Sequence, residues 1–75
     1  NPTTNILYEI PNKSHIQIIV TNVIGEVVSE YERFIESPGI YNYNFDASQL
    51  PSGIYIYHLR TSSGLQLTDK MMLIK

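Results

Sequence analysis

The sequence predicts an all-β domain, an antiparallel sandwich or barrel of six or seven short strands. Three observations carry this. Ile, Val, Thr, Tyr and Phe dominate, whereas alanine occurs once, at Ala47. Such β-branched and aromatic side chains lose rotamer freedom in helices and pack well on pleated surfaces. Turn-forming clusters recur at regular intervals: Pro11-Asn12-Lys13-Ser14, Asn22 to Gly25, Ser37-Pro38-Gly39, Asp46 to Gly53 and Ser62-Ser63-Gly64. Between them, apolar and polar residues alternate with period two, the signature of half-buried strands.

The first strand places Ile6, Tyr8 and Ile10 on one face, with Leu7 and Glu9 opposite. The second turns Ile16, Ile18 and Val20 one way and Gln17, Ile19 and Thr21 the other. The third, Val27 to Phe34, mixes Val27, Ser29, Tyr31 and Arg33 with Val28, Glu30, Glu32 and Phe34. That charge load fits an edge strand or one with a bulge, since charged edges resist stray pairing. In the fourth, Tyr41, Tyr43 and Phe45 point inward while Asn42 and Asn44 point out. Asp46 to Leu50 allows a single helical turn capped by Asp46, which Pro51 would end before Gly53 starts the next strand. The fifth, Ile54 to Arg60, is apolar on both faces near its start, as a central strand is. The sixth runs from about Leu65 to Ile74. Leu65, Leu67, Met71 and Leu73 share one face, which Asp69 interrupts.

Seventy-five residues allow one domain, spanning 1–75, and no second. The first residues, Asn1-Pro2-Thr3-Thr4, have neither an initiator Met nor a basic, then apolar, leader. The chain therefore reads as a piece of a longer polypeptide. Without cysteine there is no disulfide frame and no thiolate metal site. Five Lys and Arg against seven Asp and Glu leave a charge of −2. So weak and acidic a balance argues against nucleic acid, whose phosphates demand clustered cations. The longest apolar run, Met71 to Ile74, is far short of the roughly 20 residues that span a bilayer.

Catalytic chemistry finds little footing. No serine stands in a Gly-x-Ser-x-Gly elbow, and Gly25, Gly39, Gly53 and Gly64 are too scattered to cradle a phosphate. No metal, cofactor or small-molecule substrate is expected. His15 and His58 read as surface residues rather than ligands. Glu26, Glu30, Glu32 and Glu36 read as a solvated edge, because a calcium loop would be Asp-rich around a glycine. Asn12-Lys13-Ser14 fits a glycosylation tripeptide, a pattern that arises often by chance. The aromatic residues Tyr41, Tyr43, Phe45, Tyr55 and Tyr57 read as a cross-strand core on two adjacent strands, with a sugar-stacking platform as the rival reading. Ile54 and Ile56 face outward. If no second layer covers them, they form an apolar patch of the kind that marks a partner site.

The ordered set of features resembles a known family. Asn1-Pro2-Thr3-Thr4 leads into the first strand. Asn22-Val23-Ile24-Gly25 forms the turn after the second. Phe45 to Tyr55 holds a Gly-x-Tyr motif, and Lys70-Met71-Met72-Leu73-Ile74-Lys75 closes the chain. Together these are similar to the type A C-terminal sorting domain of the type IX secretion system of Bacteroidetes, across essentially the whole chain. The resemblance implies a seven-strand, immunoglobulin-like β-sandwich. It also implies a non-catalytic signal that an outer-membrane translocon reads after the parent protein has entered the periplasm. A sortase-like cysteine peptidase would then remove it, and the cargo would be released or attached to the cell surface.

Carried over by motif, the recognition residues are Asn1 and Pro2 of the opening motif, Gly53 and Tyr55 of Gly-x-Tyr, and Lys70 and Lys75 of the closing basic motif. Asn22 and Gly25 match the mid-domain turn. Gly53 and Tyr55 have an alternative role in simply making the fold. Lys70 and Lys75 stand among apolar neighbours and could present charge to an acidic groove. Two rival functions remain: a carbohydrate-binding accessory sandwich, motivated by the aromatic strands, and a fibronectin-like spacer without a ligand.

Overall fold

The computed structural model describes residues 3–74. It contains six strands in order: β1 Thr3–Ile10, β2 Ser14–Thr21, β3 Val27–Ile35, β4 Gly39–Asp46, β5 Gly53–Thr61 and β6 Gln66–Leu73. They form two antiparallel sheets, β1-β4 and β3-β2-β5-β6. The all-β, antiparallel expectation therefore holds. The described residues supply six strands, two against four, rather than seven.

The strand pairing explains the shape. Ile6 faces Tyr43 and Ile10 faces Gly39 in one pair; Ser14 faces Ile35 and Ile18 faces Tyr31 in the other. These share one register, so β1-β2 and β3-β4 are the two arms of a single long hairpin. The arms bend together at residues 11–13 and 36–38, and the ribbon folds double. Its apolar faces then meet: Tyr8 and Ile10 of β1 pack with Ile16 and Ile18 of β2, joined by Ile35 and Leu59. Ile10, Ile16, Ile18 and Val20 are wholly buried. Each such side chain contributes about 1.5–3 kcal/mol relative to exposure. A second core cluster gathers Val20, Phe45, Ala47, Tyr55 and Leu73.

The third strand lies at a sheet edge, and its register against β2 shifts between Val20 and Thr21. Edge and bulge are thus both present. The fifth strand is central, between β2 and β6.

Two expectations need correction. Asp46 to Leu50 is a turn and not a helical one. The Leu50 N–H donates to the Ala47 carbonyl (3.0 Å), and the Ser48 N–H donates to Asp46 Oδ1 (2.9 Å). The aspartate caps as expected, but its hydrogen bond closes an Asx turn, which Pro51 prevents from propagating. Nor do the aromatic residues lie on adjacent strands. Residues 47–52 carry the chain from one sheet to the other, so β4 and β5 face each other across the sandwich. Tyr43 and Tyr57 each pack against both core clusters from opposite layers.

The two-stranded layer is narrower than the four-stranded one. On the inner face of β6, Leu67 remains 48% exposed and Asp69 is exposed. The outer face of the larger sheet has no covering layer among the described residues, and there Ile54 and Met72 are exposed while Ile56 is half-buried.

A candidate recognition strip on the last two strands

Of the six residues the sequence singles out, Asn1, Pro2 and Lys75 lie outside the described residues. The other three are brought together on the β5–β6 ladder. There Gly53 faces Leu73, Tyr55 faces Met71 and Ile56 faces Lys70.

Gly53 begins β5 with φ +154°, a backbone state that side-chain-bearing residues rarely adopt. A Cβ there would meet no atom within 4 Å. The requirement for glycine is thus conformational and not steric. Tyr55 is buried, with its ring in the second core cluster and its hydroxyl donating to the Pro51 carbonyl at 2.7 Å. A tyrosine hydroxyl returning to the chain a few residues upstream pins the corner where a strand enters a sandwich. Lys70 differs from both: it is exposed on the outer face, beside Ile56, and forms no ion pair among the described residues. It lines a shallow concavity of about 240 Å³ together with Ile54, Met71 and Met72. Asp69, its neighbour, occupies the inner face opposite Tyr57. Burial, then the Asp69 charge, push the Tyr57 phenol above its ordinary pKa.

The mid-domain turn is equally explicit. The Asn22 side-chain oxygen accepts the N–H groups of Ile24 (3.1 Å) and Glu26 (2.9 Å), and its amide donates to Glu26 Oε1 (2.7 Å). Gly25 takes φ +89°. Asn22 and Gly25 therefore work as a turn-forming pair, inside the chain's own loop.

The histidines sit on the surface of the larger sheet. His15 Nε2 pairs with Glu32 Oε1 at 2.9 Å, both exposed, and His58 Nδ1 meets Thr68 Oγ1 at 3.2 Å. Among the described residues no cluster of three His, Cys, Asp or Glu residues could hold a metal ion.

One feature escaped the sequence reading. Gly39-Ile40-Tyr41-x-Tyr43 and Gly53-Ile54-Tyr55-x-Tyr57 are copies of one pattern. The Tyr41 hydroxyl donates to the Ser37 carbonyl (2.6 Å), four residues upstream, as Tyr55 does to Pro51. Both pins stand where the chain crosses between sheets. The signal was the repetition of Gly-Ile-Tyr-x-Tyr, each copy shortly after a proline. The two phenols stack into different surroundings: Tyr41 lies 6.0 Å from Tyr8 and under the Arg33 guanidinium, 5.0 Å from its ring centre.

A family model described as a secretion system C-terminal sorting domain matches residues 1–75, the whole chain. No curated protein and no solved structure matches.

Proposed function

The chain belongs to the secretion system C-terminal sorting domain family, and from that premise we propose how the signal is built and read. Membership makes the domain a C-terminal sorting signal for type IX secretion, which delivers proteins across the outer membrane to the medium or the cell surface. Domains of this family are non-catalytic in general.

In our reading the parent protein reaches the periplasm first. An outer-membrane translocon then engages this domain, and a sortase-like cysteine peptidase removes it before the cargo is released or anchored. The domain performs no catalysis and needs no cofactor. The sandwich is an immunoglobulin-like arrangement, six of whose strands lie among the described residues. Gly53 and Tyr55 serve recognition by setting the β5–β6 ladder in place. Lys70 makes the contact itself, and Lys75 and the opening Asn1-Pro2 pair extend the recognised surface. The observation that supports this division is the contrast in burial: Tyr55 is enclosed, whereas Lys70 stands exposed at an apolar concavity, with no ion pair among the described residues.

The test is a secreted reporter carrying the domain, intact or lacking residues Lys70 to Lys75, in a Bacteroidetes host. Export of the intact fusion alone is expected. Equal export of both fusions would remove the last strand from the recognised surface.

A further inference from the structure

Four strands have an open side: β1 and β4 in the small sheet, β3 and β6 in the large one. They are not equivalent. The third strand is defended by the exposed Glu30 and Glu32 and by its register shift, both established ways of blocking strand addition. Its exposed apolar residues, Val27 and Phe34, lie on one face, opposite Thr21 and His15. On β1 and β4 the exposed apolar residues, Leu7 and Ile40, are likewise confined to the outer face. Among the described residues only β6 exposes large apolar side chains on both faces, Leu67 inward and Met72 outward. It has neither proline nor bulge, and the concavity lined by Ile54, Lys70, Met71 and Met72 lies along it.

Its centre carries an opposed pair of charges. Asp69 points to the inner face and Lys70 to the outer, and neither forms an ion pair among the described residues. The Lys70 main-chain N–H donates to Asp69 Oδ1 at 2.8 Å. That amide is held by its neighbour's side chain, as befits a strand whose outer side lacks a partner.

Building on the sorting reading, we propose that β6 is the docking edge and that its occupant is an extended segment of a partner protein. Run antiparallel, that segment presents apolar, apolar, acidic and basic residues in turn to Met72, Met71, Lys70 and Asp69. Strand addition supplies main-chain hydrogen bonds, and the alternate side chains fix register. The acidic residue meets Lys70 on the outer face. The basic residue meets Asp69 on the inner face and draws its carboxylate off the Lys70 amide, freeing that amide for the ladder.

Charge complementarity also favours a partner segment over a second copy, since no two-fold register gives Lys70 an acidic partner or Asp69 a basic one. Two copies joined antiparallel about a two-fold axis keep outer face with outer face, so Lys70 never lies opposite Asp69 of the other copy. The two registers centred on the charges pair Lys70 with Lys70, or Asp69 with Asp69. Like charges directly opposite are unfavourable in a sheet.

The experiment exchanges the charges, Asp69→Lys with Lys70→Asp, in the reporter fusion. Net charge and strand length are unchanged, and both positions are exposed, so the fold should survive; a thermal melt of the purified domain checks this. Export is expected to fall about tenfold or more, because mismatched charges across an interface suppress pairing. Lys70→Gln alone should give a smaller loss, and it carries the test by itself if the exchange lowers the melting point. Undiminished export of a folded, exchanged domain would overturn the proposal while leaving the sorting reading intact. Failure of the unaltered fusion to be exported would instead count against the sorting reading. Purified domain that dimerises through β6, with export lost when the dimer is blocked, would replace the partner segment by a second copy.

Discussion

Replacing Tyr55 by phenylalanine removes one oxygen and one hydrogen bond while keeping the ring that fills the second core cluster. The bond to the Pro51 carbonyl is short, at 2.7 Å, and part-buried, so its net contribution is about 1 kcal/mol. Tyr55→Ala removes the ring as well, and loss of a buried aromatic side chain costs about 3–5 kcal/mol. A chain of 75 residues has a folding stability of roughly 4–11 kcal/mol at the usual value per residue. Tyr55→Phe should therefore stay folded, with its urea midpoint lowered, and Tyr55→Ala should approach or pass the point of unfolding. Measuring the urea transition of the purified domain beside export of the same fusions separates two roles for this residue. If Tyr55 acts through the fold, export tracks the folded fraction: near normal for phenylalanine, lost for alanine. Export abolished by Tyr55→Phe with the urea midpoint unmoved would refute this reasoning and place the hydroxyl in the contact.

Three further outcomes are expected. Tyr8 Oη is buried without a hydrogen-bond partner among the described residues. Since an unsatisfied buried group costs about 1–3 kcal/mol, Tyr8→Phe should be neutral or stabilising in urea melts; a loss above about 1 kcal/mol would mean the hydroxyl is satisfied. The Tyr8 phenol ionises above its usual pKa of 10.0, chiefly through burial and then the nearby Tyr31; Arg33 pulls the other way without reaching hydrogen-bond geometry, and burial prevails. The folded state therefore holds this proton more tightly than the unfolded one. Its stabilising effect is complete below pH 10.0 and is lost as the pH climbs above it. Tyr57 acts in the same direction. Alkaline melts should show this decline, and Tyr8→Phe should flatten it. Finally, Asn22→Ala strips the acceptor from two turn N–H groups and should cost about 1–2 kcal/mol, read as a lower thermal midpoint; an unchanged midpoint would mean water replaces the side chain fully.

The strands were legible in the sequence because period-two alternation is a local property. Ile16, Ile18 and Val20 could face only one way once one side of the sheet was buried. The pairing was not legible in the same way. Whether β4 lies beside β5 or across from it depends on residues 47–52 changing sheets, and Asp46 favours an Asx turn and a helix cap alike. The short loops at 11–13 and 36–38 likewise give no local sign that the long hairpin folds back on itself. The recognition residues divide along the same line. Gly53 could be flagged as a conformational glycine and Tyr55 as a core aromatic, but the exposure of Lys70 at an uncovered face follows from the sandwich. The face-by-face contrast between Asp69 and Lys70 needed the β5–β6 register, because alternation separates neighbours without saying which side is covered.

The most direct test of the account attaches residues 1–75 to a reporter with an N-terminal export signal and follows its location in a Bacteroidetes host, with and without a working type IX system. The account predicts reporter in the medium or on the cell surface only when the domain and the secretion system are both present. Reporter retained in the periplasm despite both, or exported equally without the system, would contradict it.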